Sequence, residues 1–299
     1  MKRKINISVV CATHQGSKKI KNLILSIYKN HLWPKEIVIC GTSKSDLKFV
    51  PEKLIKLLNI NFLFSKIKSQ IHQRNIAIQH SSSAYILQID DDVIIKSNFF
   101  LKINKYTLSK NQINKKIISA LILQKNGNLQ AGSWNSMYNK FFILRLLLKI
   151  LNKGKSIEEY SVLESGRCVP YIKNFKGIMD KNIISAEWLC STVLYHRFSR
   201  KNIEYITEFS KKAYYEDVIF SHQLYKKDYK LIIDKDIVGI HDNQPYTSLS
   251  TYFDTLKTQY EMVKFFKKNK FFFFLDVAIF SLVHLLRDLY VVLVHKSRL

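Results

Sequence analysis

The chain has 299 residues, 47% of them hydrophobic and periodically placed, which excludes a disordered polypeptide and fits one large α/β domain with an appendage. Lys and Arg outnumber Asp and Glu by 48 to 23, a formal net charge of +25, so polyanions are attracted: nucleic acid, anionic lipid or phosphate-bearing substrates. Cys11, Cys40, Cys168 and Cys190 are far apart, with no Cys-x-x-Cys pair or Cys/His cluster, which argues against a zinc site or disulfide framework and fits a reducing cytoplasm.

The basic start Met1-Lys2-Arg3-Lys4 precedes an apolar stretch in the manner of a signal peptide. That stretch is short, holds Asn6 and Ser8, and alternates, so Ile5 to Cys11 is predicted to be the first strand. A helix is predicted over Ser17 to Asn30 with Ile20, Leu23, Ile24 and Ile27 on one face. Glu36 to Cys40 is the next strand, Pro51 suits the first turn of a helix through Leu58, and Ile60 to Phe64 is a third strand. Gln70 to His80 follows as a helix, then Ala84 to Ile89 as a strand. Strands alternating with helices at this spacing imply a parallel sheet covered on both faces. Further on, Ile117 to Leu123 reads as a strand, Lys140 to Leu151 as a helix, and Asn152 to Ser185 as irregular, with Gly154, Gly166, Pro170 and Gly177. Such a segment serves equally as a substrate loop or a plain insertion. Order returns at Ile183 to Cys190, a helix is predicted over Ser191 to Arg200, another opens at Glu216-Asp217 and reaches Tyr225, and Leu231 to Ile240 is a strand ending at His241.

Three consecutive carboxylates, Asp90, Asp91 and Asp92, stand where the strand Ala84 to Ile89 ends, before a second apolar run, Val93-Ile94-Ile95. Like charges this close repel unless a cation, a helix N-terminus or solvent compensates. A divalent ion held against phosphate oxygens removes the conflict; an acidic turn capping a following helix is the other reading. Ligands of parallel sheets collect at the carboxyl ends of the strands, where these acids lie, and that supports the metal reading.

Six fragments in order carry a resemblance: Ile7-Ser8-Val9-Val10 with Ala12-Thr13-His14-Gln15; Gln73-Arg74-Asn75-Ile76-Ala77; Leu87-Gln88-Ile89-Asp90-Asp91-Asp92; Glu187-Trp188-Leu189-Cys190-Ser191; Tyr215-Glu216-Asp217-Val218; and Gly239-Ile240-His241. Together they make the chain resemble the family 2 glycosyltransferases of GT-A fold, over about Ile5 to His241. The resemblance implies an α/β architecture with a mostly parallel central sheet flanked by helices, and transfer of a sugar from a nucleotide-sugar donor. It implies a catalytic domain over 1–247, its nucleotide-binding half about 1–110 and its acceptor half about 111–247, followed by a C-terminal helical appendage over 248–299.

The resemblance also assigns roles. Asp92 with Asp90 matches the metal-binding acidic motif, holding Mg²⁺ or Mn²⁺ against the donor diphosphate, and Asp91 joins them in cofactor binding; hard oxygen ligands suit those ions. Arg74 matches the arginine of the family's Arg-Asn pair and would contact the nucleotide, with an ordinary salt bridge as the alternative. Thr13 lies where the first strand opens into the nucleotide pocket. Asp217 matches the general base that deprotonates the acceptor hydroxyl, with Glu216 supporting it; both also suit the first turn of a helix. His241 stands about where some relatives place a metal-binding histidine, and Trp188 would stack on acceptor or donor sugar unless it is core. Relatives commonly have Pro at the position of Ala12, Asn at that of Gln15, a glycine near Cys190-Ser191, and an Asp that reads the base near Cys40-Gly41-Thr42-Ser43. These departures bear on donor and acceptor identity.

From Ser248 the character changes. Lys264, Lys267, Lys268 and Lys270 lead into Phe271 to Phe274 and an apolar segment to Val294. It is long enough to span a membrane, but Asp276, Arg287 and Asp288 near the centre would each cost roughly 2.5–3.5 kcal/mol, about cancelling apolar residues at ~0.3–0.6 each. With Ser281 and His284 those charges fall in one polar arc, predicting an amphipathic helix on an anionic membrane surface. Packing on the catalytic domain or on a dimer partner, in a homo-oligomer, is the alternative. The expected protein is thus an inverting, metal-dependent glycosyltransferase on the cytoplasmic face of the membrane, acting on a glycan or lipid-linked acceptor in surface polysaccharide biosynthesis. A nucleotidyltransferase is disfavoured by the lack of a Gly-rich phosphate loop, and no nucleic-acid motif supports a nucleic-acid partner. A non-catalytic basic module on a degenerate fold is the remaining alternative.

Overall fold

The computed structural model describes residues 2–108, 115–125, 142–154, 160–169, 182–190, 192–202, 216–241 and 249–282. Pro170, Gly177, Ser191, Tyr215, His284, Arg287 and Asp288, singled out above, lie outside the described residues. The chain divides into two compact units: residues 1–134 with 174–246, and residues 135–173 with 247–299.

The first unit is built on a sheet. Its leading strands, β1 (Lys4–Ala12) and β2 (Trp33–Gly41), are runs of Ile and Val buried on both faces, which is what a parallel strand covered by helices requires. Helix α1 (Ser17–Lys29) presents Ile20, Leu23, Ile24 and Ile27 to the core at helical spacing. Next come α2 (Glu52–Leu57), β3 (Ile60–Phe64) and α3 (Gln70–Gln79), the last capped by the Ser69 hydroxyl. Then follow β4 (Tyr85–Gln88), β5 (Val93–Ile95), α4 (Phe99–Leu108) and β6 (Lys116–Gln124). The order across the sheet involves the later strands β9 (Ile183–Ala186), β10 (Val193–His196) and β11 (Lys230–His241), and runs β3-β2-β1-β4-β10-β6-β11-β5, with β9 also on β11. Pairs β1/β2, β2/β3, β1/β4 and β6/β11 are parallel; β10 is antiparallel to β4 and β6, and β5 and β9 are antiparallel to β11.

Two expectations change. The helix predicted over Ser191 to Arg200 is instead the central strand β10 followed by a 3-10 turn at Arg197–Asn202. Val193, Leu194 and Tyr195 are buried between β4 and β6, and filling that gap in the sheet outweighs helical spacing in a run this short. Asp90 to Asp92 do not cap a helix: they form the turn from β4 into β5, whose pairing with the end of β11 sets Val93 opposite His241.

The second unit contains α5 (Phe142–Leu151), a short hairpin of β7 (Ser161–Val162) and β8 (Cys168–Val169), the tail helix α7 (Leu249–Phe265), and helical residues 270–282. Leu148, Leu151, Leu163, Met262, Val263, Phe273 and Phe280 are buried within it. Asp276 is fully buried: it accepts from Ser165 Oγ at 2.8 Å and from Arg167 Nε at 2.8 and 3.1 Å, while the Arg167 guanidinium lies 3.5 Å from the centroid of the Phe280 ring. The polar arc of the amphipathic helix therefore points inward at Asp276. Among the described residues no helix is long and apolar enough to cross a membrane.

Candidate metal and nucleotide site

Parallel strands β1, β2, β4 and β11 end at the same edge of the sheet, and that edge carries the chemistry. Asp90, Asp92 and His241 each offer a ligand atom, and these atoms all lie within 4.8 Å of one another. His241 Nε2 is 3.1 Å from Asp92 Oδ1, and Lys19 Nζ is 3.4 Å from Asp92 Oδ2. Burial pushes the Asp92 carboxyl up, but the hydrogen bond and charge of His241 and the charge of Lys19 outweigh it and hold Asp92 below the usual carboxylate range. Two carboxylates and an imidazole are a donor set that suits Mg²⁺ less than Mn²⁺, the borderline ion of the two, and a divalent cation fits the cluster.

Asp91 is turned differently. It accepts from Thr13 Oγ1 at 2.7 Å, and Thr13 is tied to its neighbours by its N–H to Cys40 O at 3.0 Å and by Gln73 Nε2 donating to its carbonyl at 3.1 Å. Burial raises the Asp91 pKa to about 6 despite the Thr13 hydrogen bond, with the charge of Asp92 adding to the rise. A Cβ at Gly16 would overlap both the Asp91 carboxylate and the Thr13 hydroxyl, so this close approach requires glycine.

Arg74 is buried on α3, and its guanidinium pairs with Asp90 and with Glu216. That contact ties the acidic turn to the helix α6 (Glu216–Tyr225), whose first turn holds Glu216 and Asp217. The Asp217 carboxylate accepts from the Val218 N–H at 2.9 Å, the geometry of a residue at a helix start. Half-buried Cys190 registers the same convergence: desolvation raises its thiol pKa, and the charges of Asp217 and Asp90 raise it further. The segment carrying Trp188 is stitched to α6 by the Leu189 N–H donating to Ser221 Oγ at 2.8 Å and by His222 Nδ1 lying 3.0 Å from Glu187 O. Trp188 itself is 7% exposed.

Thus the turn of Asp90, Asp91 and Asp92 gathers three sets of contacts, to Arg74 and through it Glu216, to Thr13, and to His241, and Asp217 stands beside Glu216 on α6. Sequence reasoning missed Lys19, Gln73, Gly16 and Asp46. Lys18 and Lys19 in the first turn of α1, which holds no acid, run against the helix dipole, and that was a readable sign of an acidic partner. Asp46 is buried in a 3-10 turn (Lys44–Leu47), and its Oδ2 is 2.7 Å from where a Cβ would sit at Gly41, at the end of β2. An acid therefore does reach the end of the second strand, from three residues beyond the Cys40 to Ser43 stretch in which the resemblance leads one to seek it.

No family model matches the sequence, and no curated protein does. Solved structures do match in three dimensions. TarS of S. aureus is 15% identical with a TM-score of 0.55, over 88% of this chain and 39% of TarS. GalNAc-T7 with UDP, GalNAc and Mn²⁺ is 17% identical with a TM-score of 0.59, over 86% of this chain and 47% of that one. The mannosyltransferase PcManGT from Pyrobaculum calidifontis, in complex with GDP-Man and Mn²⁺, is 13% identical with a TM-score of 0.52, over 89% and 65%. The chain spans less than two thirds of each of these structures. These likenesses span 86–89% of the chain at TM-scores of 0.52–0.59, and the chain has the GT-A glycosyltransferase fold.

Proposed function

We propose that the chain is a divalent-metal-dependent inverting glycosyltransferase that moves a sugar from a nucleotide-sugar donor to a hydroxyl of a glycan or lipid-linked acceptor in surface polysaccharide biosynthesis. The observation that carries it is the Asp90, Asp92 and His241 cluster at the carboxyl edge of the sheet, tied through Arg74 to the helix of Glu216 and Asp217. Complexes of similar fold hold UDP or GDP-Man with Mn²⁺, which supports a nucleotide-sugar donor here.

In this reading Asp90, Asp92 and His241 hold Mg²⁺ or Mn²⁺, which when bound offsets charge on the diphosphate as it departs. Thr13 and Asp91 shape the nucleotide side. Asp217 accepts the acceptor hydroxyl proton as that oxygen attacks the anomeric carbon; the carbon–oxygen bond to the diphosphate breaks, and the nucleoside diphosphate leaves with the electron pair. Attack opposite the leaving group inverts the centre. Arg74 keeps Glu216 in place, and Glu216 keeps the start of α6 against the acids. Trp188 borders the acceptor side. The basic balance of the chain and its Lys-rich tail support peripheral placement on an anionic membrane surface at the cytoplasmic face.

Calorimetric titration with UDP, GDP, CDP and dTDP, with and without Mn²⁺, tests the donor site. One nucleotide is expected to bind only with metal, and Asp92→Ala is expected to abolish that binding. No binding by folded protein across the panel would instead favour a non-catalytic polyanion-binding protein. Asp217→Asn is expected to keep donor binding and to lower transfer by about 10²–10⁴-fold. Transfer intact in that variant would remove Asp217 from the base role.

A further inference from the structure

Helix α5 is apolar on both of its faces. Leu148 and Leu151 are buried in the second unit, while Phe142 (76% exposed), Ile143 (69%), Leu146 and Ile150 lie on a water-facing arc about 100° away or more. Residues 270–282 repeat the arrangement: Phe273, Asp276 and Phe280 are buried, whereas Phe271 (64%), Phe274 (60%) and Leu282 face water. The two helices are neighbours, since Lys153 Nζ, just past α5, is 5.9 Å from the centroid of the Phe272 ring. Single exposed apolar residues are ordinary, but two adjacent helices each exposing a Phe-led arc at helical spacing mark an interaction surface.

The charges name the partner. Lys149, Lys267 and Lys270 are exposed on or beside these arcs. Residues 142–154 contain no acid, and residues 267–282 contain only Asp276, which is buried against Arg167. An apolar arc bordered by lysines and lacking acids complements an anionic bilayer: aromatic rings enter the acyl boundary and ammonium groups meet phosphates. A second copy is a poorer fit, because a two-fold contact would set lysine against lysine across the interface.

We propose that the second unit docks on an anionic lipid surface through the water-facing arcs of α5 and of residues 270–282. This deepens the peripheral placement given above and rests on it. It keeps the apolar side of the tail helix on lipid, as expected from sequence, and changes one point: the Asp276 side meets the second unit instead of water.

The test is co-sedimentation of the full chain with vesicles of phosphatidylcholine alone and of phosphatidylcholine with phosphatidylglycerol, at 0.1 M and 0.5 M salt. The variants are Phe271→Ser with Phe274→Ser, and Phe142→Ser with Ile143→Ser; Phe64→Ser, an exposed residue of β3, is the control. These residues face water, so the variants fold, which unchanged Mn²⁺-dependent nucleotide binding and melting temperature would verify. Wild type is expected to partition onto the anionic vesicles, more weakly at high salt; each double variant is expected to lose about ten-fold or more, and the control nothing. Folded wild type that binds neither vesicle overturns the placement and the surface together. Wild type and double variants binding alike overturns the surface alone. Self-association abolished by the same variants, without vesicle binding, assigns the arcs to a second copy and also overturns the proposal.

Discussion

Three acids in a row fold into one turn because each is given different company. Asp90 pairs with Arg74, Asp91 accepts from Thr13, and Asp92 meets His241 and Lys19. Repulsion among them is relieved by two cations, a hydroxyl and an imidazole arriving from β1, α1, α3 and β11. Asp91 benefits least, and burial leaves it titrating near 6. The arrangement depends on space at Gly16, where any side chain would displace the Thr13 and Asp91 pair. Gly16→Ala is therefore expected to cost about 1–3 kcal/mol through overpacking and to weaken Mn²⁺-dependent nucleotide binding by about ten-fold or more, read by thermal melting and calorimetry. Wild-type affinity in the variant would mean that the Thr13–Asp91 contact does not shape the pocket. The acids themselves were legible in the sequence because a buried strand opening into carboxylates is a local pattern. Gln73 and Arg74 meet their partners across 60 and 16 residues of sequence, and only the parallel order of the strands brings them there.

At the scale of elements, α4 is fastened to β11 through one buried acid. Asp234 accepts from Tyr106 Oη at 2.8 Å, from Lys105 Nζ at 2.8 Å and from the Asp236 N–H at 2.9 Å. It does so where the register of β11 on β6 shifts between Asp234 and Val238, so the side chain satisfies backbone that the ladder leaves out. Burial raises the Asp234 pKa, but the hydrogen bonds from Lys105, Tyr106 and Asp236 outweigh it and hold the carboxyl below its ordinary value. A depressed folded pKa contributes stability that is fully present above the unfolded value of about 3.9 and is lost as pH falls through the folded value. Asp234→Asn is thus expected to lower stability by about 1–3 kcal/mol at pH 7 and to flatten the loss of stability below about pH 4, read by denaturant unfolding across pH. An acid limb as steep as that of wild type would show that Asp234 is not the titrating group. Strands β1 and β2 were legible from their Ile and Val runs, and β3 from its short apolar run of Ile60, Phe62, Leu63 and Phe64. Strand β10 was not: four residues carry too little periodicity to separate strand from helix, and its place is set by β4 and β6 on either side.

For the whole molecule, the second unit is assembled from segments 135–173 and 247–299, so its integrity depends on contacts between residues distant in sequence. Sequence patterning showed that the tail was amphipathic but gave its polar side to water, because the partner of Asp276 is Arg167, 109 residues away. The Arg167–Asp276 pair, completed by Ser165, spans these two segments and carries the only acid of residues 267–282. Removing the guanidinium leaves Asp276 charged and buried with one hydroxyl, a loss of about 3–5 kcal/mol for a broken buried pair. Asp90 to Asp92, Glu216 and Asp217 belong to the other unit, whose apolar core draws on Ile7, Ile24, Ile37, Phe99 and Ile232, none of them in the second unit. Arg167→Ala is accordingly expected to melt the second unit first, exposing residues 142–169 and 249–282 to limited proteolysis and abolishing vesicle binding, while Mn²⁺-dependent nucleotide binding survives in the first unit, whose two segments 1–134 and 174–246 stay folded together. Arg167→Lys, which keeps the charge but not the paired geometry at Asp276, is expected to fall between the two. Were Arg167→Ala to lose nucleotide binding and vesicle binding together at one transition, the two units would be a single cooperative body and their separate roles would fail with it.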